Sequence, residues 1–153
     1  MFAVMTDRRR VSTSWLVALN ISDDTGDAIG GVVDHRLTRR ALINEYRKGR
    51  LRKDQVCDAH PDLLRAARNF GNPTRVLCPI CVADNVVLVT YVFGPYLPRH
   101  GRCITMPSEL AHFQRHRCDY TAYVVETCRQ CGWHHLLRSI PTGGAQSKAA
   151  MGE

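Results

Sequence analysis

The chain has no long apolar run. Its longest candidate, Val86 to Phe93, is interrupted by Thr90 and Tyr91, far short of the roughly 20 apolar residues that cross a bilayer as a helix. That stretch reads as a buried strand, and no membrane association is expected. Catalytic signatures are missing as well: there is no GxSxG elbow, Walker loop, dinucleotide-binding glycine motif or HExxH pair, and no acidic pair is placed for acid–base work. An enzyme is therefore not expected. Near the start, Arg8-Arg9-Arg10 precedes Trp15 to Leu19 in the charge order of a secretion signal, but the apolar core is too short and no small-x-small cleavage site follows before Asp23-Asp24. A cytoplasmic protein is the expectation.

What is present fits one globular unit. A length of 153 residues, with 44% hydrophobic and 23% charged residues, suits a single domain small enough to gain from a metal staple. Seven cysteines, an odd number, form a poor disulfide framework. Reduced thiols holding metal are the simpler reading. The net charge of +7 favours polyanionic partners through counterion release at phosphates.

Residues 1–31 lack sustained periodicity and end at Gly30-Gly31, which reads as a poorly ordered extension. One compact domain is expected over 32–140, with a helical part at 32–73 and a zinc-ribbon part at 74–140. The spacing predicts a helix from Asp34 to Lys48, with Asp34 as N-cap and Leu37, Ala41, Leu42 and Tyr46 facing inward. A short helix follows over Lys53 to Ala59, and another begins at His60-Pro61 with Leu63, Leu64, Ala67 and Phe70 inward. From Thr74 the period changes to that of a sheet: a strand over Val86 to Phe93, a loop over 95–106, a short helical insert from Pro107 to His116 with Leu110 and Phe113 on one side, a strand from Tyr120 to Glu126 alternating about Tyr123 and Val125, and a last strand from Trp133 to Ile140. Residues 141–153 read as a disordered tail. The fold class expected is α+β: a small N-terminal helical unit followed by an elaborated zinc-ribbon-like antiparallel sheet.

The sharpest chemical signal is the pair Cys78-Pro79-Ile80-Cys81 and Cys128-Arg129-Gln130-Cys131. Each CxxC can form a knuckle, a tight turn that aims two thiolates at one metal while backbone N–H groups donate to the sulfurs. Gly132, directly after Cys131, supplies the backbone freedom such a turn uses. The 46 residues from Val82 to Thr127 exceed the usual ribbon spacing and accommodate a strand, a helical insert and a second strand. Four thiolates fill a tetrahedral shell, so a structural Zn2+ is expected, with iron the less favoured alternative.

Other candidates are weaker. Cys57 and His60 have CxxH spacing, and with His134 and His135 they are candidates for a second metal site or for groups backing the first. Cys103 and Cys118 read as ordinary thiols. Tyr91, Phe93, Tyr96, Tyr120, Tyr123 and Trp133 are available either for base stacking or, more simply, for the core. The largest local charge bias lies over Val32 to Val56, where Arg36, Arg39, Arg40, Arg47, Lys48, Arg50, Arg52 and Lys53 outnumber the acids. They are the candidate nucleic-acid contacts.

Taken together, Val33-Asp34-His35, Val56-Cys57-Asp58-Ala59-His60-Pro61 with Leu63 to Arg68, Cys78-Pro79-Ile80-Cys81 and Val124-Val125-Glu126 through Trp133 resemble an uncharacterised family of small actinobacterial proteins, over about residues 32 to 140. The resemblance implies a cytosolic protein of unknown function and places Cys57 and His60 in a recurring motif; it lends no activity. The leading expectation is a non-enzymatic zinc-ribbon protein that binds RNA, DNA, or a machine such as RNA polymerase or the ribosome through its basic helix. The alternatives are a protein-interaction adaptor with zinc as scaffold, and a thiol-based redox sensor.

Overall fold

The computed structural model of the protein describes residues 32–144; the expectations for 1–31 and for 145–153 lie outside the described residues. Stretches rich in β-branched and aromatic residues form the two central strands, β3 (Asn85–Phe93) and β5 (Asp119–Thr127). Around them lie β1 (Val33–Asp34), β2 (Asn72–Leu77), β4 (Arg102–Cys103) and β6 (His134–Gly143). The sheet order is β1-β6-β5-β3-β2 with every pairing antiparallel, and β4 shares the outer edge of β3 with β2. Four helices complete the described chain: α1 (Arg36–Arg47), α2 (Lys53–Val56), α3 (Pro61–Phe70) and α4 (Pro107–Gln114).

Neighbouring residues of a strand point to opposite faces, so Val86 and Val92 mark one face of β3 while Val87 and Val89 mark the other. On the first face α4 seats Leu110 and Phe113 over Val92, Ala122, Val124 and Ile140. At the other end of that face Ile43 of α1 packs with Val56, Ile80, Val86, Trp133 and the buried cysteines. On the second face Ala66 and Ala67 of α3 cover Val87 and Val89. Beside α3 this face opens as a groove of about 960 Å³, floored by Tyr91, Phe93, Tyr123, Val125 and Leu136 and rimmed by His60, His100 and His134. No described helix is long and apolar enough to cross a membrane.

The architecture is thus mixed, with an antiparallel sheet, but α1 and α3 do not form a unit of their own; each packs on the sheet, from opposite sides. Several local expectations change for physical reasons. His35, not Asp34, is the N-cap of α1, because Asp34 is paired into β1 and its carboxylate accepts from the Arg36 backbone N–H at 2.9 Å. Leu37 is 81% exposed and Ala41 is exposed; the inward face carries Leu42, Ile43 and Tyr46 together with Arg39. In α3 Phe70 is exposed and Ala66 is buried. The alternation in β5 is present, but the buried set is Tyr120, Ala122, Val124 and Glu126, one residue out of phase with Tyr123 and Val125. The stretch 95–106 contains β4. The last strand does not stop at Ile140: Pro141, Thr142 and Gly143 pair with Thr121, Tyr120 and Asp119, so the expected tail is strand over its first three residues. Pro141 is tolerated because the partner β1 reaches only as far as Ser139, leaving β6 an edge strand there among the described residues. Of the aromatics, Trp133 and Tyr120 are core and Tyr96 is 92% exposed.

Candidate metal centre

The chain enters β3 from the first CxxC turn and leaves β5 into the second, so the antiparallel pairing of the two strands brings both turns to one end of the sheet. The ligand atoms of Cys78, Cys81, Cys128 and Cys131 all lie within 4.8 Å of one another. Cys78 and Cys128 are fully buried, Cys81 and Cys131 half-buried. Across the two turns, the Cys78 and Cys131 Sγ atoms are 3.6 Å apart, as are those of Cys81 and Cys128.

The two turns share one hydrogen-bond plan. In the first, the Cys78 N–H donates to the Asp84 carbonyl at 2.9 Å and the Val82 N–H to the Cys78 carbonyl at 3.1 Å. In the second, the Cys128 N–H donates to the Trp133 carbonyl at 2.8 Å and the Gly132 N–H to the Cys128 carbonyl at 3.0 Å. The Trp133 N–H also points at the Cys131 sulfur, 3.4 Å away. The residue after the second cysteine takes a left-handed backbone in both, φ 87° at Gly132 and 54° at Val82. Glycine takes that conformation freely, while a β-branched residue is strained by it.

The thiols do not ionise alike. Burial drives the Cys78 thiol far up and pushes Cys131 up to about 12. At Cys81 burial also opposes ionisation, but the Ala83 N–H and the neighbouring thiols of Cys128, Cys78 and Cys131 outweigh it, bringing its thiol down to about 7. Four thiolates together in so dry a cage call for a cation to offset them. The donor set, four soft sulfurs converging from two turns, is one that can hold a metal ion.

The candidates for a second site scatter. Cys57 caps the end of α2 and its Sγ lies 3.5 Å from that of Cys131, outside the group of four. The approach is fixed by the Ala59 N–H, which donates to the Gly132 carbonyl at 3.1 Å; a Cβ on Gly132 would sit 3.1 Å from the Cys57 carbonyl oxygen. His60 instead caps α3, its Nδ1 accepting from the Asp62 N–H at 3.1 Å. His134 places Nε2 2.9 Å from the Asp58 carboxylate. His135 stacks on Trp133 at 6.0 Å between ring centroids, and burial lowers its pKa. Among the described residues only the four cysteines stand close enough together to share an ion.

Sequence reasoning missed one part of this end. Glu126 is 3% exposed; it accepts from Trp133 Nε1 at 3.1 Å and from the Arg39 guanidinium. Arg39 is therefore a structural cation rather than a free contact. A carboxylate inside the alternating run of β5, next to the knuckle, was the available signal. Of the other basic candidates, Arg36 pairs with Asp34, Lys48 and Arg50 with Glu45, and Arg52 with Asp54. Arg40, Arg47 and Lys53 have no ion-pair partner among the described residues. Arg36, Arg40 and Arg47 line a hollow of about 250 Å³ with Asn44 and with Pro79 of the first knuckle.

No solved structure matches the chain. Among curated proteins it is similar to the uncharacterized proteins Rv0049 of Mycobacterium tuberculosis and Mb0050 of Mycobacterium bovis, 40% identical to each over 114 residues, covering 74% of this chain and 83% of theirs. A family of unknown function, DUF5318, matches residues 28–152, and the chain belongs to that family.

Proposed function

We propose that this is a non-enzymatic zinc-ribbon protein that binds nucleic acid through the outer face of α1. The zinc assignment is supported by the all-sulfur, closed donor set, which leaves no position for water and suits a structural ion. The observation that carries the binding reading is the hollow between α1 and the first knuckle. Arg36, Arg40 and Arg47 recur at one face of the helix, and two of the three are uncommitted to any acid among the described residues. Guanidinium groups on a rigid helix, beside a backbone pinned by metal, suit phosphate oxygens. Phosphate contact is sequence-tolerant and salt-dependent.

The test is fluorescence anisotropy with labelled duplex and single-stranded oligonucleotides across a salt series, on protein shown by elemental analysis to carry one zinc. Affinity should fall linearly with salt on logarithmic axes, and Arg40→Ala and Arg47→Ala should each reduce the slope by about 1. Arg52→Ala, whose guanidinium is already held by Asp54, should change little. A salt-independent curve, or equal effects of all three substitutions, would rule the reading out.

A further inference from the structure

The metal centre has a fifth sulfur that the tetrahedral shell cannot use. Cys57 Sγ stands 3.5 Å from Cys131 Sγ, as close as any cross-knuckle pair of the four. It arrives from a separate element, the end of α2, tied to the second knuckle by the bond from the Ala59 N–H to the Gly132 carbonyl. Cys57, Cys81 and Cys131 are half-buried, whereas Cys78 and Cys128 are sealed. An oxidant arriving from solvent can meet two ligands, Cys81 and Cys131, and of these Cys131 is the one with the Cys57 thiol 3.5 Å away.

We propose that Cys57 and Cys131 form a modification site for peroxides, in which Cys57 resolves the oxidised metal ligand as a reversible disulfide. The Cys131 thiolate attacks one oxygen of hydrogen peroxide; an S–O bond forms, the O–O bond breaks and hydroxide leaves. The Cys57 sulfur then attacks the resulting sulfenic acid; an S–S bond forms, the S–O bond breaks, and water leaves with the Cys57 proton. The two sulfurs are oxidised by two electrons in all, and the peroxide is reduced to hydroxide and water. Pairing Cys131 with Cys78, or Cys81 with Cys128, would remove two of the four ligands. Pairing it with Cys57 removes one, so three thiolates stay in place and reduction restores the fourth. This stands apart from the nucleic-acid reading and survives its failure.

The test uses the full zinc-loaded chain treated with hydrogen peroxide. Zinc release is followed with a chromogenic chelator, and the first disulfide is identified by peptide mapping without reduction. A Cys57–Cys131 disulfide should form first, and dithiothreitol with added zinc should return the full metal content. In Cys57→Ser and Cys57→Ala the resolving thiol left for Cys131 is Cys78, 3.6 Å away and itself a ligand, so each disulfide should remove two thiolates and the zinc released per equivalent of peroxide should rise by about twofold or more. The peptide map of the unsubstituted chain decides the matter even if both variants fold poorly. A first disulfide that omits Cys57, unchanged zinc release in the variants, or a chain that takes up no zinc would each overturn the proposal.

Discussion

At one end of the sheet Ile104, Leu110, Phe113 and Tyr120 close over Val92, Ala122 and Ile140; at the other, Ile43, Val56, Ile80 and Trp133 surround two pairs of cysteines and a buried glutamate. The first end is held by apolar surface removed from water, a contribution proportional to area and insensitive to solution chemistry. The second devotes its interior to sulfur and to the Arg39–Glu126–Trp133 cluster, groups whose contribution depends on ionisation and, for the four thiols, on the ion they can hold. One face of a single sheet thus joins a conditional half to an unconditional one.

The most severe way to break that comparison is to remove the proposed zinc. With that ion bound, Cys128→Ser, or strong chelation, should cost on the order of 10 kcal/mol of metal-linked stability. Hydrogen exchange should show the loss concentrated in α1 and both knuckles, with α4 and the distal halves of β3 and β5 still protected. Uniform loss across the sheet would mean that the two ends are not separable. Next in size is Glu126→Ala, which strands the Arg39 cation and the Trp133 N–H in a dry setting and should cost about 3–4 kcal/mol in urea unfolding. Glu126→Gln, which keeps an acceptor for Trp133, should cost less. Leu110→Ala at the other end should cost about 3 kcal/mol through the cavity it leaves, with zinc content unchanged. A fall in zinc content would show that the ends communicate. The smallest effect is a gain: Val82→Gly relieves a β-branched residue held at φ 54° and should stabilise by about 0.5–1 kcal/mol net of the glycine's greater freedom when unfolded. A loss instead would mean that the Val82 side chain, although 62% exposed, holds the knuckle.

The cysteines were legible from spacing alone, because the xx of each CxxC fixes the knuckle locally and the apolar run Val86 to Phe93 could only be a strand. What could not be read depends on distant partners. Helical periodicity put Leu37, Ala41, Leu42 and Tyr46 inward and passed over Ile43; the choice was made by Glu126, a residue 87 positions from Arg39, whose buried carboxylate draws that guanidinium to the sheet and turns Leu37 to solvent. Pro141 read as the start of a disordered tail because its status as an edge residue is set by where β1 stops. Val82 gave no sign of its left-handed backbone, since valine disfavours it and only the matching position of Gly132 in the second knuckle reveals the shared plan. Cys57 was noted for its spacing to His60, yet its neighbour is Cys131, brought there by a contact between two loops.

The outer edge of β3 is shared by two short strands, and the longer of these, β2, carries Pro73 and a register break between Pro73 and Leu77. Val76 and Leu77 are about half exposed there, which on a flat, regular edge would invite strand addition by another copy. The proline removes a donor and the irregularity bends the ladder, while Arg75 puts a charge among them. Because Leu77 runs directly into Cys78, this edge borders the first knuckle; proline, irregularity and charge keep it unsuited to templating by a second copy whether or not the four thiols hold an ion.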